Sequence, residues 1–197
     1  MQAVPAPPAL AQNAPRTAPA PDWVKPPSDL PRPGRGDRTV TLDTLFEALK
    51  IAPDAESAKA IEERIWALWM VSGSDTCNLL MARAKAAADE KEYALAVKLL
   101  DAVIEIKPNY TEAWNRRATL FFMQKDYSHA LADIREVLAR EPRHFGALSG
   151  LGLILQELGD DKHALEAYRR ALAVDPHLEN IGDVIKTLSE KVEGRDI

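Results

Sequence analysis

The sequence predicts an all-α chain built from antiparallel helix pairs, one pair repeated three times. Three observations carry this. Pro108, Pro142 and Pro176 stand 34 residues apart. Ala96, Ala130 and Ala164 keep the same interval of 34, and so do Ala84, Ala118 and Gly152. A proline ends a helix because it lacks an amide hydrogen and clashes with the preceding turn. A small residue in fixed register marks a place where two helices approach closely. Both signals in one register mean a single supersecondary unit stacked on copies of itself.

The elements follow in chain order. Residues 1–38 hold ten of the 14 prolines. This segment cannot bury enough apolar surface to fold alone, and reads as an extended, partly polyproline-like spacer or tether. A helical pair is expected over 39–74. Within Thr41–Ile51, Leu42, Leu45, Phe46 and Leu49 have helical spacing, and Pro53 follows. Asp54 is the expected N-cap of Ala55–Val71, a segment carrying Ile61, Ile65, Trp66, Leu68, Trp69 and Met70. Its second half is apolar almost all round, so it should be buried on more than one side. Gly73 reads as its C-cap and Ser74 as the cap of the next helix. The three repeats run over 77–110, 111–144 and 145–178, each split by a short turn at 89–93, 124–127 or 158–162. Residues 179–197 close the chain. Over Asn180–Val192, Ile181, Val184, Ile185, Leu188 and Val192 share a face suited to capping the last repeat edge.

Charge and leader signals bound the partners. Net charge is −5, and the first 38 residues contribute +2 (five Lys/Arg against three Asp), which leaves −7 on the remainder. An acidic body without a basic stripe argues against nucleic acid and against adsorption to an anionic membrane. No apolar run approaches the ~18–20 residues of a membrane span. The lone Cys77 forbids an intramolecular disulfide, and its place near a helix start suggests half-buried packing. Ala9-Leu10-Ala11 before Gln12 reads like a signal-peptidase site of the A-x-A type. The expectation is a periplasmic chain whose signal peptide begins upstream of Met1. The alternative is a cytoplasmic chain in which an alanine-rich tail contains the motif by chance. Trp23 in that tail could dock back onto the acidic body, helped by Lys25, Arg32, Arg35 and Arg38.

The three units resemble the tetratricopeptide repeat family. In the second, Trp114, Ala118, Tyr127, Ala130 and Pro142 stand at the family's signature positions. The third carries Leu148, Leu151, Gly152, Ala164, Tyr168, Ala171 and Pro176 in the same roles. The first has Leu80, Ala84, Tyr93, Ala96, Leu100 and Pro108, but Arg83 replaces the usual Leu and Val103 the usual Ala. The resemblance implies a right-handed superhelix whose concave groove is lined by the first helix of each repeat. Carried over position by position, that face includes Asn78, Met81, Lys85, Ala88 and Asp89 of the first repeat. It includes Glu112, Asn115, Arg116, Thr119, Phe122 and Met123 of the second, and Ser149, Leu153, Gln156 and Glu157 of the third. Phe122, Met123 and Leu153 are expected to be exposed, forming an apolar anchor for a peptide or helix. The carboxylate clamp with which some members grip chaperone C-termini is not implied. Met81 and Lys85 stand where its Lys and Asn would be, and Gly146 and Gly150 where its third-repeat Lys and Arg would be.

No constellation for chemistry stands in the sequence. His129, His144, His163 and His177 lie at repeat ends and second-helix starts, where polar surface residues are expected, without metal-ligand spacing. There is no phosphate loop and no dinucleotide fingerprint. Glu62–Glu63 and Asp160–Asp161 read as solvated-face and turn residues. The expectation is a non-enzymatic scaffold, without cofactor or metal, that binds a protein or peptide. The alternative is a homo-oligomerisation module joined through Trp66 and Trp69.

Overall fold

A computed structural model describes residues 41–194. The proline-rich segment, with its A-x-A motif and Trp23, lies outside the described residues. Those described form nine helices: α1 Leu42–Lys50, α2 Ala55–Trp69, α3 Asp75–Asp89, α4 Tyr93–Ile106, α5 Thr111–Met123, α6 Tyr127–Arg140, α7 Phe145–Glu157, α8 Asp161–Val174 and α9 Ile181–Val192. The pairs α3–α4, α5–α6 and α7–α8 are the three repeats. The helices α1 and α2 form a hairpin before them, and α9 packs on α8 after them.

Local chemistry sets the helix starts. Asp54 accepts from the Ser57 amide at 2.8 Å, and Ser74 from that of Cys77 at 3.3 Å, as N-caps do. Asp126 and Asp160, 34 residues apart, cap α6 and α8 by accepting from the amides of His129 and His163. One boundary differs from expectation. The helix α2 ends at Trp69 with Met70 as its C-cap, so Gly73 is not that cap. Gly73 instead takes a left-handed φ of +69° in the turn that leads into α3.

The small residues in register are the helix crossings. Ala84, Ala96, Ala118, Ala130 and Ala164 are all buried. At Gly152 an added Cβ would lie 2.6 Å from the Tyr168 ring. Gly152→Ala is therefore expected to destabilise the third repeat by roughly 1–3 kcal/mol through overpacking. Urea denaturation of the variant checks this; an unchanged midpoint would mean that Tyr168 moves aside freely.

Packing divides into three cores. The first repeat buries Cys77, Met81, Ala84, Leu100 and Val103 with Tyr110 of the next unit. Cys77 is fully buried rather than half-buried. The second core gathers Ala118, Ala130, Ile134 and Val137 with Ala147 and Ile154. The third joins the hairpin residues Phe46, Leu49, Ile65 and Trp66 to Phe145, Leu148, Tyr168 and Ile181. Between the first two cores, Arg117 grips both oxygens of Asp133 at 2.8 Å and reaches Asp101 of α4 at 2.6 Å. The joint between those repeats is thus partly ionic.

The hairpin follows the edge where each second helix hands over to the next first helix. Arg143, before α7, bonds Asp43 at 2.7 Å and lies 4.3 Å from the Phe46 ring centre. His177 Nε2 donates to the Ala52 carbonyl at 2.9 Å. The Tyr110 hydroxyl donates to the Met70 carbonyl at 3.0 Å, and Lys107 Nζ donates to the Ser72 carbonyl. Contacts thus run from the α4–α5 turn to the α8–α9 turn. The apolar second half of α2 is buried because it faces this edge.

Candidate functional site

The groove expected along α3, α5 and α7 divides into an open half and a covered half. In the open half, Thr119, Phe122 and Met123 of α5 and Leu153 and Gln156 of α7 are half-buried, and Lys85 of α3 is exposed. Offsets of 34 place Leu153 in register with Thr119, and Gln156 with Phe122. The Phe122 ring centre is 5.9 Å from that of Tyr127, whose hydroxyl donates to Glu157 at 3.2 Å. Tyr168 donates to Gln156 Oε1 at 2.6 Å. Thr119 Oγ1 donates to the Asn115 carbonyl at 3.1 Å, and Lys85 pairs with Asp89 at 2.7 Å. The open half is an apolar floor with polar rims, the composition of a peptide-binding surface. Phe122, Met123 and Leu153 each show part of their surface, less than full exposure, because neighbouring helices flank them.

Three residues expected to line the groove do not. Met81 is 4% exposed and belongs to the first repeat's own core, and Asn115 (4%) and Ser149 (0%) are covered as well. Around Asn115 and Ser149 the cover comes from the hairpin. At Gly146, an added Cβ would lie 2.9 Å from Trp66 Cζ-edge atoms, so the indole sits directly on the start of α7. The Trp66 and Phe145 ring centres are 5.5 Å apart and nearly perpendicular. Met70 reaches α5, where the Arg116 guanidinium approaches its sulfur at 3.1 Å. Trp66 and Trp69 are 2% and 8% exposed. A seated hairpin therefore cannot present them to a second copy, which removes the surface of the oligomerisation reading.

Beneath the hairpin lies a polar pair that sequence reasoning placed on the surface. His144 and Glu112 are both fully buried, with His144 Nε2 and Glu112 Oε1 2.8 Å apart. The Ala147 amide donates to His144 Nδ1 at 3.1 Å, so Nδ1 is the acceptor and Nε2 carries the proton. The ring also stacks on Trp69, centres 4.0 Å apart and planes 4° from parallel. Asn115 Nδ2 donates to Glu112 Oε1 at 3.3 Å, and Arg116 Nε lies 3.8 Å from Oε2. Only His129 and His163 are the exposed surface histidines expected. No sequence signal separates His144 from His177, since both end a repeat.

A second departure from expectation is Glu62, read as solvated. Burial, then the charge of Asp175, push its carboxyl up to about 8 from the usual 4.5, with Glu179 adding to the rise and Lys59 opposing it. Asp175 is raised as well, chiefly by burial, against the lowering effect of its hydrogen bond from the His177 amide. A folded value above the unfolded one means that stability resides in the protonated form. It is fully present below 4.5 and is lost as pH rises through about 8. The hairpin is therefore expected to loosen across that window, seen as a red shift of tryptophan emission. Glu62→Gln should flatten the dependence; a shift of equal size in the variant would assign it elsewhere.

Away from the groove, α5 and α6 enclose a depression of about 300 Å³ lined by residues including Trp114, Arg117, Phe121 and Arg135. Arg117 is saturated there by its two carboxylates. Among the described residues, no helix is long and apolar enough to cross a membrane.

The comparisons agree with this geometry. The tetratricopeptide repeat family model matches residues 81–132 and 115–178. A tetratricopeptide-repeat-containing protein of Rhizobium etli is 44% identical over 153 residues, covering 78% of this chain and 75% of that protein. The chain belongs to the tetratricopeptide repeat family. Solved structures place the fold in the same tetratricopeptide class. The first tetratricopeptide domain of Spaghetti (RPAP3), bound to an HSP90 peptide, has a TM-score of 0.58 at 18% identity, covering 61% of this chain and 95% of that one. A MamA RS-1 variant has a TM-score of 0.55 at 22% identity, covering 77% of this chain and 82% of that one. As a tetratricopeptide array this chain departs from the expected open groove in one respect: its own hairpin covers the starts of α5 and α7.

Proposed function

We propose that this chain is a non-enzymatic scaffold that holds a peptide segment of a partner protein in the open half of its groove, within the bacterial cell envelope. The observation that carries the binding reading is the partly exposed floor of Phe122, Met123 and Leu153 between polar rims. Apolar anchors on such a floor supply affinity, and Thr119, Gln156 and Lys85 set the register of the bound segment. A peptide gripped by its terminal carboxylate is a poor candidate. Met81 is buried and Lys85 is engaged by Asp89.

Support for the envelope comes from Ala9-Leu10-Ala11 ahead of a proline- and alanine-rich stretch. Fractionation of the native host, with a cytoplasmic marker alongside, tests that placement. The binding reading is tested by selecting peptides from a random library against the full chain. Leu153→Asp should weaken a selected peptide by about tenfold or more, at unchanged thermal stability. Equal affinity in the variant would move the site off this groove.

A further inference from the structure

Resting on the reading of the groove as a binding face, we propose that its covered half is itself a helix-binding site, and that the α1–α2 hairpin is a resident occupant which a partner helix of matching chemistry displaces. The ligand class is read from the occupant. It is an amphipathic helix with aromatic residues at i and i+3 and a methionine at i+4, as in Trp66, Trp69 and Met70. The receptor side is built for that ligand. Gly146 leaves a flat seat for the first ring, His144 offers a face to the second, and Arg116 meets the methionine sulfur.

Two independent observations mark the occupant as exchangeable. First, the seat is imperfectly satisfied. Trp69 Nε1, Glu112 Oε2, Arg116 Nε and Ser149 Oγ are buried without a hydrogen-bond partner. Ser149 lies one turn beyond Gly146 on the same face of α7. Buried polar atoms left unpaired weaken the element that covers them, relative to repeats whose crossings are apolar. Second, α2 brings a like charge with it. Glu62, one turn before Trp66, faces Asp175 and Glu179 at the α8–α9 turn. An incoming helix with a basic residue at that position would meet the same carboxylates as an attractive pair. The best ligand therefore reads basic-x-x-x-aromatic-x-x-aromatic-Met on one helix.

The test uses the full chain and a fluorescent synthetic peptide of residues 54–71, in two forms: native, and with Glu62→Lys. The Lys form should bind wild type at least tenfold more tightly than the native form. Trp66→Ala, which empties the seat, should bind both forms at least tenfold more tightly than wild type does. Gly146→Leu added to Trp66→Ala should abolish that gain. No gain in a Trp66→Ala chain of native helicity, or a gain that survives Gly146→Leu, overturns the proposal. Should Trp66→Ala fail to fold, hydrogen exchange on wild type decides. Amides of α2 should exchange at least tenfold faster than those of α5 and α6, and equal protection would make the hairpin a fixed structural element. Leu153→Asp separates the two readings, because it should leave binding of the 54–71 peptide unchanged while removing binding in the open half.

Discussion

Trp66→Ala should undock the α1–α2 hairpin at a cost of roughly 3–5 kcal/mol, the usual range for deleting a buried aromatic ring. The indole is 2% exposed and touches three other rings, those of Trp69, His144 and Phe145, with centres 5.1–5.5 Å away. The space it leaves cannot refill from below, because Gly146 has no side chain. The cost should fall unevenly. The first and second repeats own cores to which the hairpin contributes nothing, whereas Phe145, Leu148 and Tyr168 share theirs with it. Urea titration should therefore show tryptophan emission changing before helicity measured by circular dichroism. Coincident transitions would mean that the hairpin and the array are one cooperative unit. Trp66→Phe, which keeps most of the apolar volume, should recover much of the loss.

That division of cores also explains what could be read in advance. The helix pairs, their 34-residue register, the N-caps Asp54 and Ser74, and the close crossing at Gly152 are local or periodic. Each leaves its mark within one or two turns of sequence. The position of the hairpin is neither local nor periodic. The pattern of α2 said that its second half is buried on several sides, but named no partner. Every misplaced residue around the seat follows from that single gap. Glu112, Asn115 and Ser149 occupy groove positions, and they are buried because a helix from elsewhere lies over them. Glu62 stands beside Glu63 in the sequence and looks solvated, yet the fold brings Asp175 to it across more than a hundred residues. Met81 fails for a different reason: the divergent first repeat draws that side chain into its own core with Cys77 and Leu100. Phe122, Met123 and Leu153 were placed on the correct face because no element from outside the repeats crosses them.

The buried pair under the hairpin gives the second large effect, and its asymmetry is the informative part. His144→Leu should destabilise the chain by about 3–5 kcal/mol, because it leaves the Glu112 carboxylate in the core without its short hydrogen bond. The same change removes the ring that caps α7 through the Ala147 amide and the face on which Trp69 stacks. Glu112→Gln should cost much less, since its side-chain carbonyl can still accept from His144 Nε2. Replacing both residues by leucine should recover a large share of the single-variant loss, because two apolar side chains leave no buried charge behind. Arg116, partly exposed, can then turn to solvent. A double-variant cycle by chemical denaturation measures the coupling directly. Strictly additive losses would show that cap and stacking, rather than the pair, hold His144 in place. Nitrogen shifts of the imidazole give the complementary check, because the hydrogen-bond directions require the proton on Nε2. A proton on Nδ1 would reverse the capping bond and detach the Ala147 amide from the ring. The pair would then have to hold Glu112 in its acid form as donor, and Glu112→Gln would stabilise through its amide NH2 rather than its carbonyl.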